Sequence, residues 1–345
     1  MTFKYRPSGP MNWLLSKIRS SEDWSLVGSI SPEDRSLSVL SELIKSRSLN
    51  TADLFRVDPT ERIANRYRSK YVRKLNQSEN KAKQLAGTTL NVLSMDLLCR
   101  EELLVDSSRR VLNSCSTNLI IDISAMPKRF FFPLISLASR SNKHDNIIVA
   151  YSSPEQYGTT LAEDPLPWKS LPLFSAIPPK KDSGLKLLIG VGYQPLQLNE
   201  IISGVRFNSD NVELYLPFPS VHPGFTKNWE FILQIKNELG ELKQDSIQRI
   251  PTTSVSLAFE RLLSSTTNGS NPAVLAPFGP KPISLAMCLY GVAMQNAGKD
   301  VEIGYTQPQV YSDEYSIGIA KIDNEPLTNA YCIRLGGRNL FELND

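Results

Sequence analysis

The sequence predicts an α/β protein of two tandem lobes with mainly parallel sheets, on three observations. Short, β-rich apolar runs alternate with segments of helical period along all 345 residues, the pattern of successive βα units. Residues 119–123, apolar but for Asp122, and 273–275 read as strands covered by helices on both faces. Residues 24–157 and 186–311 also repeat one order of landmarks. Each has an apolar strand, then a Pro-Lys pair (Pro127-Lys128, Pro280-Lys281), an apolar stretch, and a proline between two tyrosines (Tyr151, Pro154, Tyr157; Tyr305, Pro308, Tyr311). The lysines stand 153 positions apart and the tyrosine segments 154 apart. A one-residue slip over that distance points to an internal duplication. It predicts two Rossmann-like lobes whose equivalent loops meet at one cleft.

The elements follow in order. Residues 1–23 read as an adaptor helix with Trp13, Leu14, Leu15 and Ile18 on its apolar face. The first lobe, 24–157, has strands near 24–30, 52–57, 90–96, 118–124 and 145–151. Its helices fall between them near 34–46, 60–86, 100–114 and 128–141. Residues 158–184, with Pro165, Pro167, Pro178 and Pro179, read as a proline-rich linker that Trp168 and Phe174 anchor along the surface. The second lobe, 185–345, has strands near 185–191, 211–217, 246–250, 272–277 and 300–306. Its helices fall near 197–205, 226–240, 252–265 and 282–297. Residues 312–318 read as a loop, and a final strand at 331–335 closes on Gly336-Gly337. The spacing between strands suits right-handed crossovers.

Composition narrows the function classes. An apolar fraction of 41% and a charged fraction of 21% are ordinary for a globular protein, and a net charge of +3 does not by itself imply nucleic acid. The four cysteines lack metal-ligand or CxxC spacing and read as buried free thiols. Two histidines leave a zinc site or a histidine-based triad without enough ligands. No signal-peptide core opens the chain, and the longest apolar stretch, 283–294, is too short to span a bilayer, so a cytoplasmic protein without membrane contact is expected.

Ligands of open α/β sheets collect at the carboxyl ends of strands, where helix N-termini offer free N–H groups. Two loops have that place. One runs from Asp122 and Ser124 to Pro127, Lys128 and Arg129. The other runs from Pro277 through Gly279 and Pro280 to Lys281, with Ser284 in the following helix. Proline is pre-organised for a first helical turn. A lysine there adds charge to the positive end of the helix dipole, which is favourable only if an anion is bound. Tyr157, Tyr305 and Tyr311 could add flat faces and hydroxyls to the same crevice, with Tyr315 extending it. Lysines pointing to solvent and an inherited packing corner are the competing readings.

Gly190 and Gly192 follow a strand, but the third glycine of a dinucleotide fingerprint is absent, which argues against nicotinamide or flavin. No other cofactor is indicated. Residues 56–86 carry nine Lys or Arg against three Asp or Glu, and 62–74 could form a basic, aromatic-studded helix. A solvated face or a partner-protein contact is favoured there over nucleic acid.

The loop from Asp122 through Ser124 to Lys128 resembles that of the CARF sensor domains of CRISPR systems, in which a strand ends in an Asp-x-Ser/Thr-Gly-Gly-x-Lys type loop touching a cyclic oligonucleotide. Two such units in one chain would look like the related SAVED domain of other antiphage systems. The resemblance covers one loop and the general fold, and it implies Asp122, Ser124 and Lys128 as ligand contacts. Ala125 and Met126 depart from the glycine pair. The expectation is a module that senses a phosphate-bearing, nucleotide-like ligand and signals to a partner protein in antiphage defence. An enzyme acting on such a ligand, with Asp122 as base and both lysines stabilising charge, and a protein-interaction scaffold are the alternatives.

Overall fold

The computed structural model describes all residues except 1–4, 19–22, 62–65, 176–183, 195–206, 208, 221–223, 300 and 344–345. In chain order the first passage holds β1 (Ser8–Pro10), α1 (Met11–Lys17), β2 (Trp24–Ile30), α2 (Ser38–Lys45), β3 (Leu49–Asp58) and α3 (Arg68–Ala86). It continues with β4 (Leu90–Asp96), α4 (Glu101–Ser114), β5 (Asn118–Asp122), α5 (Lys128–Arg140), β6 (Asn146–Ser152), β7 (Gln156–Tyr157) and β8 (Ala162–Pro165). Then come β9 (Lys169–Ser170), β10 (Lys186–Gly190), β11 (Val212–Pro217), α6 (Gly224–Leu239), β12 (Ile247–Ile250), α7 (Val255–Ser265), β13 (Ala273–Pro277), α8 (Lys281–Asn296) and β14 (Glu302–Tyr305). The last passage holds β15 (Pro308–Tyr311), β16 (Ser316–Ile317), β17 (Lys321–Ile322), β18 (Glu325–Pro326), β19 (Thr328–Leu335) and β20 (Arg338–Asn339).

The chain forms two compact units. One comprises residues 1–164 and 308–340, the other 165–307 and 341–345. The first sheet has the order β1-β19-β6-β5-β2-β3-β4. Its five strands from β2 to β6 are mutually parallel, and β19 and β1 complete the other edge antiparallel. The second sheet has the order β12-β11-β10-β13-β14-β9, with only β9 antiparallel. The five parallel strands of each unit therefore lie in the spatial order third, second, first, fourth, fifth. The mixed α/β class with mainly parallel sheets is as the sequence predicts.

The alternation of short apolar runs and helical segments located these elements closely, because each strand and its covering helix bury complementary faces. β5 and β13 are buried along their whole lengths, each between two parallel neighbours. On one face of the first sheet, Leu26, Leu54, Ile120 and Ile148 pack with Met11, Leu14, Leu40, Leu43 and Leu75 of α1, α2 and α3. In the second unit Ile189, Leu214 and Val274 pack with Phe231 and Ile235 of α6. α8 is buried from Pro282 to Met294, as a helix apolar on every side must be.

Four expectations need correction. Residues 1–23 are not a separate adaptor: β1 adds to the first sheet beside β19, and α1 buries Met11 and Leu14 while Trp13 stays 47% exposed. The stretch 158–184 is not only a linker, since β8 and β9 lie in it, Leu171 and Phe174 are buried, and the unit boundary falls at Asp164. The final strand does not belong to the second lobe. It pairs antiparallel with β6, from Thr328 opposite Ser152 onward, because the chain returns to the first unit at Pro308. The helix expected at 60–86 begins at Arg68, and the one expected at 197–205 lies outside the described residues.

Candidate ligand-binding loops

Each sheet has a point where neighbouring strands send their connections in opposite directions. It lies between β2 and β5 in the first unit and between β10 and β13 in the second. Crevices outside the carboxyl ends of strands at such points are the usual ligand sites of open α/β sheets. Both Pro-Lys loops flank this point in their own unit.

In the first unit the loop after β5 is held by its own polar side chains. The Asp122 Oδ1 accepts the Ser124 amide at 2.8 Å, and the Ser124 Oγ accepts the Ser152 amide at 2.7 Å. Both side chains are buried and make these backbone bonds. Met126 is fully buried where the resemblance would place a glycine. Pro127 caps α5, and its carbonyl accepts the amides of Phe130 and Phe131. Arg129 donates to the Cys99 carbonyl, while its buried Nε has no hydrogen-bond partner. Lys128, the first residue of α5, is half-buried, and burial lowers its ammonium to about 7.

A solvent-open crevice of about 270 Å³ adjoins this loop, lined by Asp58, Tyr71, Leu97, Pro127, Gln309 and Tyr311 among others. Its enclosed part has room for about one water molecule. Nearby, Arg35 is 1% exposed and crosses to the end of β6. It pairs with Glu33 at 2.8 Å, donates to the Ser152 carbonyl at 3.2 Å, and lies 5.6 and 5.8 Å from the ring centres of Tyr151 and Tyr157. Burial pulls its pKa down, but Glu33 and the two phenols outweigh it and hold the guanidinium charged. The Tyr151 and Tyr157 hydroxyls bond at 3.2 Å, and Tyr315 packs edge-on against Tyr157 (6.1 Å) and Tyr311 (5.8 Å). Burial pushes the Tyr157 phenol well up. The chain after Tyr311 is fastened across this edge by Lys74 to Asp313 (3.2 Å), Ser316 to Glu33, and the Gly318 amide to Asp34 (3.0 Å).

In the second unit the loop after β13 is built on close backbone approach. A Cβ on Gly192 would lie 2.3 Å from the Phe278 carbonyl oxygen, and one on Gly190 would lie 3.2 Å from the Gly279 nitrogen. The two glycines that resembled part of a dinucleotide fingerprint thus let two crossover loops meet. Ser284 donates to the carbonyls of Gly279 (3.2 Å) and Pro277 (3.4 Å). Pro280 caps α8 and Lys281 begins it, half-buried. Tyr305 packs on Phe278, their ring centres 5.4 Å apart.

No family model matches the chain, and no curated protein does. Among solved structures, the cytoplasmic domain of a prokaryotic cation chloride cotransporter aligns over 84% of this chain and 96% of its own. The identity is 8% and the TM-score 0.24, too low to carry an argument. Among the described residues no helix is long and apolar enough to cross a membrane.

The structure therefore divides the predicted residues. Lys128 and Lys281 take equivalent places in their units. Tyr157 and Tyr311 are brought together in the first unit through Tyr315, whereas Tyr305 lies in the second. The Glu33–Arg35 pair, at the 3-10 turn Asp34–Leu37 before α2, has no periodicity in the sequence to mark it.

Proposed function

We propose that this chain is a ligand-sensing module that takes a phosphate-bearing, nucleotide-like molecule at the Pro-Lys loops and reports to a partner protein. The observation that supports it is the shared placement of these loops. Each follows the fourth parallel strand, flanks the point where the connections diverge, and starts a helix whose positive dipole end faces the carboxyl edge of the sheet. Lysine in that turn opposes the helix dipole until an anion is bound. The same shared strand order supports descent of the two units from one duplicated segment.

The loops differ in readiness. In the first unit Arg35 and the tyrosines fill the carboxyl edge, and the crevice takes about one water, so the Lys281 loop is the stronger site. A charge-assisted bond to phosphate contributes about 1.5–3 kcal/mol, so Lys281→Ala is expected to weaken binding by one to two decades and Lys128→Ala by less. Native mass spectrometry of the chain purified from its host would find a retained small molecule. Titration with a panel of cyclic oligonucleotides, and phage challenge of cells carrying either variant, would extend the test to defence. Wild-type binding and resistance in the double variant would refute the reading. What would remain is a protein-interaction scaffold, which the inward use of Asp122, Ser124 and Ser284 favours.

A further inference from the structure

α3 lies along the side of the first unit and is far more basic than the chain as a whole. It carries Arg68, Lys70, Arg73, Lys74, Lys81 and Lys83 against Glu79 alone. The helix buries Leu75 and Ala82, so at 100° per residue its opposite face is the stripe Lys70, Arg73, Gln77, Lys81 and Gln84, all exposed.

Packing sorts these charges into two sets. Arg68 bonds the carbonyls of Pro59 and Thr60 and pairs with Glu61, while Lys74 is tied to Asp313. Glu79 is taken by Arg56 and Lys83, whose bonds lower its pKa and keep it ionised. Lys70, Arg73 and Lys81 have no ion pair among the described residues. The stripe therefore holds three uncompensated cations over about 17 Å of helix rise, interleaved with amide side chains and free of any acid.

We propose that this stripe of α3 docks on the phosphate backbone of a nucleic acid, without reading its sequence. Three features select that partner. The cations are spaced along a rod rather than gathered in a pocket, which suits a row of phosphates. Amides between them can hydrogen-bond phosphate oxygens or sugars. The stripe has no apolar anchor of the kind that a protein hot spot or an inserted membrane helix needs. The contact is weak and salt-dependent: three neutralised phosphates give a slope near −2.7 in log K against log salt, a loss of about 40-fold from 50 to 200 mM. Little binding at physiological salt is therefore expected from this stripe alone. It would act as a second foothold for a protein held near nucleic acid by other means.

The test uses the full chain and fluorescent 20-mers of duplex DNA, duplex RNA and single-stranded DNA, titrated by anisotropy from 50 to 200 mM salt. Expected is low-salt binding of several sequences alike, with a slope near −2.7 for the B-form duplex. The triple reversal Lys70→Glu, Arg73→Glu, Lys81→Glu should abolish it, and the exchange Lys70→Arg, Arg73→Lys, Lys81→Arg should retain it. Circular dichroism and urea midpoints would establish that both variants fold. Absent binding at 50 mM, or binding that survives the reversal, would overturn the proposal. So would preferential capture of polyglutamate or of phosphatidylserine vesicles over the oligonucleotides.

Discussion

Replacing Lys128 with methionine keeps the aliphatic stem and removes the ammonium, which isolates the cost of placing that charge at the start of α5. In the folded chain burial holds the ammonium at about 7, against an ordinary value of 10.5. The sign follows from proton binding. Between pH 7 and 10.5 the unfolded chain keeps a proton that the folded chain has released, so stability rises with pH across that window. At 1.36 kcal/mol per pH unit the full displacement sets a ceiling near 5 kcal/mol. Because the side chain keeps some contact with solvent, about 1–2 kcal/mol is the expected size. Lys128→Met should therefore be more stable than wild type by that amount at pH 7, and the gap should close toward pH 10. Urea unfolding followed by fluorescence and circular dichroism at both pH values gives the difference directly, and groups common to both proteins cancel. An equal gap at pH 7 and pH 10 would mean that packing, not charge, sets it, and the burial argument would be wrong.

Other perturbations follow from the same geometry. If an anion binds at Lys128, it reprotonates the amine, so affinity at that loop should be full below pH 7 and fall above it; calorimetry in buffers of different ionisation enthalpy would show the proton uptake, and its absence at pH 8 would exclude this lysine. Arg35→Met removes the guanidinium that pairs with the largely buried Glu33 carboxylate and should cost about 3–5 kcal/mol, partly recovered by adding Glu33→Gln. A loss under about 1 kcal/mol would show the pair to be dispensable. Gly192→Ala drives a Cβ into the Phe278 carbonyl and should cost about 1–3 kcal/mol while displacing the Lys281 loop, measurable as a lower urea midpoint with weakened ligand binding. Burial pushes the Cys115 and Cys332 thiols up to about 12 and also raises Cys99, so the folded chain should label slowly with iodoacetamide at pH 8; rapid labelling of any of the three would contradict their packing.

The sequence by itself determined the local order of this protein. The apolar runs 119–121 and 273–276 mark strands covered on both faces, and Pro127 and Pro280 suit helix starts because proline loses no bond there. Those facts are local, set by backbone sterics and by which face an element can bury. The tertiary structure decided where distant segments go. It brings Thr328–Leu335 home to β6, and packs Tyr315 against Tyr157 and Tyr311 in the first unit while Tyr305 packs on Phe278 in the second. It also turns Asp122, Ser124 and Ser284 inward, half-buries Lys128, and splits the cations of α3 into paired and unpaired sets. Strand partners and ion pairs are chosen by elements up to hundreds of positions away, and desolvation depends on everything packed around a group. Neither leaves a period in the chain.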